Sequence, residues 1–203
     1  MISREKKDEP RKARDAELEF LWGVASSGYQ CEGGYNGPGQ PQNNWTHAES
    51  SGYVMATGAA ADFWNRFEED FDRCRELGLR AFRLSIEWAR VQPSAETRRT
   101  EPPDFDFDAL DKYAEILASC RRHGMEPVVT MQHFTHPAWL GQDAWLDDAT
   151  PDLFARFVAG STERLNRRLV EVHGQPPTLE SAFMAYTGRS LDEDVEEDAS
   201  GDD

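Results

Sequence analysis

The chain of 203 residues has the length of one ordinary domain, or of part of a larger one, and leaves no room for two large modules. Asp and Glu number 38 against 22 Lys and Arg, so the formal net charge is −16. That excess argues against a nucleic-acid-binding protein, which must neutralise phosphates, and against docking on an anionic membrane. With 38% hydrophobic and 11% aromatic residues, the middle of the chain is nevertheless predicted to fold.

The two ends of the sequence differ from the middle in composition. Residues 1–19 carry six acidic and six basic side chains and lack the apolar stretch of a signal peptide. Residues 178–203 become strongly acidic, and we predict a disordered tail there because its last fourteen residues hold eight carboxylates and no cation. No run approaches the roughly 18 apolar residues of a membrane span. The three cysteines are widely spaced without a C-x-x-C pair, which is typical of reduced thiols and favours a cytoplasmic location.

Between these ends, residues 20–177 form one predicted domain in which short apolar runs alternate with helix-period segments. This pattern is typical of βα units on a parallel sheet. Strands are predicted near residues 20–26, 81–87 and 126–132. Helices are predicted near residues 60–77 and 108–123 and from the N-cap Thr150 to just before Gly174. The Gly, Pro and Asn-rich stretch 33–58 is too long for a mere connector and is typical of a functional loop.

Polar residues follow or interrupt the predicted strands, and in parallel α/β architectures ligands bind at the carboxyl ends of strands. The candidates are Gln30, Glu32, Arg83, Glu87 and His133. Gln30 and Glu32 also suit structural roles in a loop, and His133 also suits a core histidine. Arg83, inside an apolar strand, needs an anionic partner, which is either Glu87 or a catalytic carboxylate that Arg83 keeps ionised.

No metal site or cofactor site is predicted from these residues. His133 and His136 stand three residues apart on an irregular loop with no third ligand nearby, which is too little for a metal site. A Gly-rich phosphate-binding loop and a G-x-S-x-G motif are both missing from the sequence.

Three segments resemble motifs of glycoside hydrolase family 1, the β-glucosidase-like enzymes, and they occur in that family's order. Residues 20–33, FLWGVASSGYQCEG, resemble F-x-W-G-x-A-[ST]-x-x-x-Q-x-E-G. Residues 81–90, AFRLSIEWAR, resemble R-[FL]-S-[IV]-x-W-x-R, and residues 126–134, EPVVTMQHF, resemble E-P-x-V-T-L-x-H-W. The resemblance covers about residues 20–177 and implies an α/β fold, the N-terminal part of a (β/α)8 TIM barrel with about three βα units.

The resemblance also implies an activity and roles for individual residues. The family hydrolyses β-linked O-glycosyl bonds with retention of configuration, using two glutamates. Gln30 and His133 would then hydrogen-bond hydroxyls of the sugar, and Arg83 would support the nucleophilic carboxylate. Phe134 stands where the family usually has Trp, so the site would keep an aromatic wall but lose an indole donor. Glu32 resembles a mainly supportive glutamate, and Glu87 lies at a variable position, so neither is predicted to be catalytic.

The sequence departs from the family after residue 177. The expected N-E-P motif of the acid/base and the T-E-N-G motif of the nucleophile are both missing, and Glu180 lacks the Asn and Pro neighbours. We therefore expect a β-glycosidase truncated before both catalytic glutamates, with no catalytic residue of its own. The alternatives are a non-catalytic sugar-binding remnant, a fragment that associates with a complementing polypeptide, and a self-standing α/β domain whose acidic tail binds a basic partner.

Overall fold

The structure is a computed structural model that describes residues 20–96, 99 and 101–173. The predictions made for the polar segment 1–19, for the acidic tail 178–203 and for Glu180 lie outside these residues.

A three-stranded parallel sheet forms the centre of the fold. Its strands are β1 (Gly23–Ala25), β2 (Ala81–Ser85) and β3 (Glu126–Thr130), and they lie side by side in chain order. Arg83 in the middle of β2 pairs with Ala25 of β1 and with Val128 of β3. Parallel neighbours in chain order with helices between them are the arrangement of a partial (β/α)8 barrel. The three predicted parallel strands are confirmed, although β1 is shorter than the predicted run 20–26.

Helices connect and cover the strands. They are α1 (Thr46–Ser50), α2 (Phe63–Glu76), α3 (Trp88–Val91), α4 (Phe107–Arg122) and α5 (Thr150–His173). None of the helices in the described part of the chain combines the length and the hydropathy needed to cross a lipid bilayer.

Two helix starts differ from the sequence-based expectation. Helix α2 begins at Phe63 and not near residue 60, because Ala60 and Asp62 adopt left-handed backbone angles (φ of 48° and 53°) that interrupt a right-handed helix. Thr150 is the first residue of α5 and not its N-cap. Its hydroxyl donates a hydrogen bond to the carbonyl of Ala144 at 2.5 Å and so joins the helix to the preceding loop.

The core lies between the sheet and the helices α2, α4 and α5. Phe71 is fully buried, and its ring centroid lies 5.9 Å from that of Phe63, 6.0 Å from that of Phe67 and 5.0 Å from that of Phe82 on β2. The apolar stripe predicted for α2 therefore packs on the sheet, as its helical period requires. Because Phe82 and Leu84 face these helices, alternation along β2 turns Arg83 and Ser85 to the opposite face, the inside of a barrel.

The outer strands are much less covered than the central strand. Leu84 of β2 is buried, whereas Val128 and Val129 of β3 are 46% and 37% exposed and every residue of β1 is exposed. Within the described residues each outer strand pairs on one side only. An unpaired strand edge bearing apolar side chains is a site for association with another strand.

We predict that the isolated chain self-associates through these edges, and that replacing Val128 and Val129 together by Lys reduces the association. Lysine on an edge strand disfavours strand addition because its ammonium group would have to be buried. Sedimentation velocity over a range of protein concentrations measures the effect. Val54→Lys is the matched control, since Val54 is 45% exposed but lies in a loop. A monomeric wild-type chain with a sharp, reversible thermal transition would contradict this prediction.

Candidate functional site

The parallel strands bring the segments that carry Gln30 and His133 to the same end of the sheet. Gln30 lies in a π-helical turn, Gly28–Glu32, which follows β1, and His133 lies in the loop three residues after β3. Arg83 lies between them on the central strand. Among the hydrogen bonds of the described residues, none joins the side chains of these three residues directly. The segments that carry these residues thus lie near the same end of the sheet, but their side chains make no direct bond to one another.

The amide of Gln30 is exposed but oriented. Ser27 donates a hydrogen bond from its hydroxyl to Oε1 of Gln30 at 2.7 Å. The turn itself is attached to the central strand, because the backbone N–H of Gly28 donates to Oγ of Ser85 at 2.6 Å and that of Ser26 donates to the carbonyl of Arg83 at 2.7 Å. Gln30 thus projects from a turn that is fixed to β2.

Arg83 has a buried nitrogen without an acceptor. Its Nε is inaccessible and makes no hydrogen bond within the described residues. The sequence left open that Glu87 is the anionic partner of Arg83, but no ion pair joins these two side chains in the described chain. A buried guanidinium nitrogen is normally hydrogen-bonded, so Arg83 has capacity for an acceptor that these residues do not supply.

The loop after β3 combines a half-buried histidine with a strained aromatic residue. The ring centroids of His133 and Phe134 lie 4.6 Å apart, and Phe134 is 65% exposed. Phe134 has a φ of 69°, in the left-handed region that bulky residues rarely adopt. Backbone strain of this kind concentrates at functional sites.

His136 serves the structure of the same loop. It is buried, its Nε2 lies 2.9 Å from the carbonyl oxygen of Gly141, and its backbone N–H donates to Oδ1 of Asn44. Burial lowers the pKa of its imidazole. The described residues contain no group of three or more His, Cys, Asp or Glu side chains that could hold a metal ion.

Glu32 is the centre of a buried polar cluster. It is 2% exposed and accepts hydrogen bonds from the hydroxyls of Tyr35 and Tyr113 and from Nε of Arg90, the last at 3.0 Å. The guanidinium of Arg90 lies over the rings of Tyr35 and Trp64, at 4.4 and 4.0 Å from their centroids. Burial raises the pKa of Glu32, although Arg90 and the hydroxyls oppose the shift. Because its hydrogen-bond partners are side chains of the surrounding structure, Glu32 stabilises the packing around the turn.

Glu87 is a second buried carboxyl group, which sequence reasoning left open as a partner of Arg83 and did not predict to be catalytic. It is 3% exposed, and its Oε2 accepts a hydrogen bond from the hydroxyl of Thr135 at 2.7 Å. Its Oε1 is buried and has no hydrogen-bond partner in the described chain. Burial raises the pKa of Glu87 to about 7. The one signal in the sequence was a carboxylate between two large apolar residues, Ile86 and Trp88.

Comparison with known proteins extends these observations. The profile of Glycosyl hydrolase family 1 matches residues 14–183. The chain is 34% identical over 140 residues to 6-phospho-beta-galactosidase 1 of Streptococcus pneumoniae, which covers 68% of this chain and 28% of that protein. It is 30% identical over 156 residues to a beta-glucosidase of Agrobacterium sp., which covers 74% of this chain and 33% of that protein.

Solved structures agree with the sequence matches. A beta-glycosidase from Pyrococcus horikoshii has a TM-score of 0.61 at 30% identity, covering 73% of this chain and 33% of that chain. A family 1 β-glucosidase from Thermotoga maritima also has a TM-score of 0.61 at 30% identity, covering 74% of this chain and 34% of that chain. The chain thus spans about a third of the length of the relatives it matches. Since the family profile covers most of the sequence and the three parallel strands form part of the same barrel, the chain belongs to glycosyl hydrolase family 1.

Proposed function

We propose that the chain supplies the N-terminal part of the sugar-binding site of a retaining β-glycosidase, an enzyme that hydrolyses O-glycosyl bonds in β-linked sugars. The observation that carries the proposal is the placement of Gln30 after β1 and His133 after β3, on either side of Arg83 on β2. The names of the relatives, beta-glucosidase and 6-phospho-beta-galactosidase, support a β-linked glycoside as the substrate class.

The side chains at this end of the sheet have the chemistry that a sugar requires. An amide and a neutral imidazole can each donate and accept a hydrogen bond, which suits adjacent hydroxyl groups of a pyranose. Gln30 and His133 take this role. The exposed ring of Phe134 provides an apolar surface for the C–H face of the sugar.

Arg83 acts on a carboxylate and not on the sugar. Its unpartnered Nε can donate to the nucleophilic glutamate of the T-E-N-G motif and keep that group ionised, because a nearby cation lowers the pKa of a carboxyl group. That glutamate is outside the 203 residues. The role of Arg83 is therefore a supporting one.

Neither buried glutamate in the described part of the chain belongs to an accessible catalytic pair. Retaining hydrolysis needs two carboxyl groups about 5–5.5 Å apart, one on each side of the scissile bond. Glu32 is bound by Arg90 and two tyrosines, and Glu87 is enclosed between the turn and the loop, so neither is open to a substrate. In this proposal the two catalytic glutamates are contributed by the remaining strands of a barrel.

A second candidate function is association with a complementing polypeptide that carries those strands. The exposed valines Val24 of β1 and Val128 of β3 favour it, since they lie on the two strands that pair on one side only within the described residues. A non-catalytic sugar-binding remnant would instead bind sugar without such a partner. We place the protein in the cytoplasm, and the free thiols of its three cysteines support that location.

Gln30→Ala and His133→Ala are each expected to weaken binding of methyl β-D-glucoside to the chain by roughly 2- to 10-fold, the equivalent of one net hydrogen bond. Saturation-transfer difference NMR across a sugar titration measures the change. Gln40→Ala and His47→Ala are matched controls, because both residues are exposed and lie elsewhere in the long loop region. Equal weakening by the control variants would reject the proposed contacts.

The chain alone is expected to show no measurable turnover of an aryl β-glucoside, because contacts to the sugar do not replace the acid and the nucleophile. Mixing it with a polypeptide that spans the remaining strands of a relative should restore turnover if the chain complements a barrel. The same polypeptide with its nucleophilic glutamate replaced by Gln is the control and should stay inactive. Turnover by the chain alone that Glu87→Gln or Glu180→Gln abolishes would show that this chain does hold catalytic carboxylates.

A further inference from the structure

Glu87 contacts both segments that carry the proposed sugar ligands. On one side, its Oε2 accepts the hydrogen bond from the hydroxyl of Thr135 at 2.7 Å. The backbone N–H of Thr135 in turn donates to the carbonyl of His133 at 2.9 Å. The position of the His133 backbone is therefore linked to Glu87 through one residue.

On its other side, Glu87 packs against the turn that carries Gln30. A Cβ atom placed on Gly28 would lie 2.9 Å from Cβ and 3.2 Å from Oε2 of Glu87, so only glycine allows this approach. The N–H of Gly28 is bonded to Ser85, two residues before Glu87. The carboxyl group of Glu87 thus fills the space between the turn and the loop.

We propose that Glu87 is a positioning residue that holds the Gln30 turn and the His133 loop in a fixed relation to each other. The inference rests on the proposed sugar site and adds to it a residue that touches no sugar. Burying a carboxyl group with an unpartnered oxygen and no cation of its own costs stability, so the positional role rests on the contacts of Glu87 with the loop through Thr135 and with the turn at Gly28.

The charged and titratable groups around Glu87 make the positioning sensitive to pH. Glu32 of the turn raises the pKa of Glu87, and Arg90 of α3 lowers it, but Arg90 is bound to Glu32. Tyr113 of α4 accepts the backbone N–H of Glu87 at 3.1 Å, and the buried Tyr35 lies in the same cluster. Burial is the largest cause and raises the pKa of Glu87 from its usual value of 4.5 to about 7.

The sign of the pH effect follows from this raised pKa. The folded chain holds the proton of Glu87 more tightly than the unfolded chain, so the cost of ionising the buried carboxyl group is absent below pH 4.5. This cost of ionisation appears, and lowers the free energy of unfolding, as the pH rises from 4.5 to about 7. Over that range the turn and the loop should loosen in the wild-type chain, and they should not do so when the carboxyl group is replaced by an amide.

Hydrogen–deuterium exchange, read by mass spectrometry on the full 203-residue chain, tests the proposal. Exchange of peptides covering residues 27–33 and 132–137 is compared at pH 5.5 and pH 8.5 after correction for intrinsic rates. In the wild type both peptides should lose protection at the higher pH, whereas in Glu87→Gln the two pH values should give equal protection. Glu126→Gln, a matched change at an exposed carboxylate of β3, should behave as the wild type.

Variants of Thr135 separate positioning from general destabilisation. Thr135→Val keeps the shape but removes the hydroxyl, and it should speed exchange of the 132–137 peptide by roughly 2- to 10-fold. Thr135→Ser keeps the hydroxyl and should restore wild-type exchange. Wild-type pH dependence in Glu87→Gln, or an equal change in every peptide of the chain, would overturn the proposal.

Titration with methyl β-D-glucoside distinguishes failure of the positioning role of Glu87 from failure of the proposed sugar site. If Glu87 positions the two ligands, Glu87→Gln should remove the pH dependence of methyl β-D-glucoside binding as well as that of exchange. A wild-type chain that shows the exchange pattern but binds no sugar would reject the sugar site while leaving the link between turn and loop established.

Discussion

The ion pair between Glu32 and Arg90 joins the first βα unit to the second, and the geometry at the carboxyl end of the sheet depends on it. Glu32 is buried and the Arg90 side chain is only 11% exposed, and each also has aromatic or hydroxyl neighbours that compensate for lost water. Removing one member of such a pair typically costs about 3–5 kcal/mol, because the other is left charged and buried. Glu32 ends the turn that carries Gln30, so the pair also determines where that residue stands.

The parallel arrangement of the sheet imposes a second constraint, on which of its faces is covered. Parallel strands require crossover connections, and each crossover helix covers only the outer face of the sheet. The inner face, on which Arg83 lies, is covered in a barrel by side chains from the other strands. In the described part of the chain the three strands leave both edges of the sheet without this cover, and central β2 is accordingly more buried than β1 and β3.

The proposed site and the positioning of Glu87 arise from the same feature. The turn after β1 and the loop after β3 are both attached to the end of β2, through Ser85 and Glu87. The sugar ligands in the turn and the loop are thereby anchored to the end of one central strand. Polar groups attached to rigid elements are held more accurately than those on free loops. The strained backbone of Phe134 is held in the same loop, next to the Thr135 bond.

Hydrophobic periodicity and local motifs were enough to predict the three strands, the apolar faces of the helices and the family, because neighbouring residues carry these signals. Gln30 and His133 could be singled out as polar residues that follow strands, and Arg83 as a charged residue inside an apolar strand. The left-handed residues Ala60 and Asp62, which delay α2, were not predicted, since Ala and Asp rarely adopt this conformation and the apolar period does not report it.

The partners of the buried carboxyl groups became visible only in the folded chain. Glu32 meets Tyr113 across 81 positions of the chain, and Glu87 meets Thr135 across 48. It also showed that Glu87 is not the partner of Arg83. Pairings over such distances are set by how the strands and helices pack, and side-chain spacing along one strand does not contain that information.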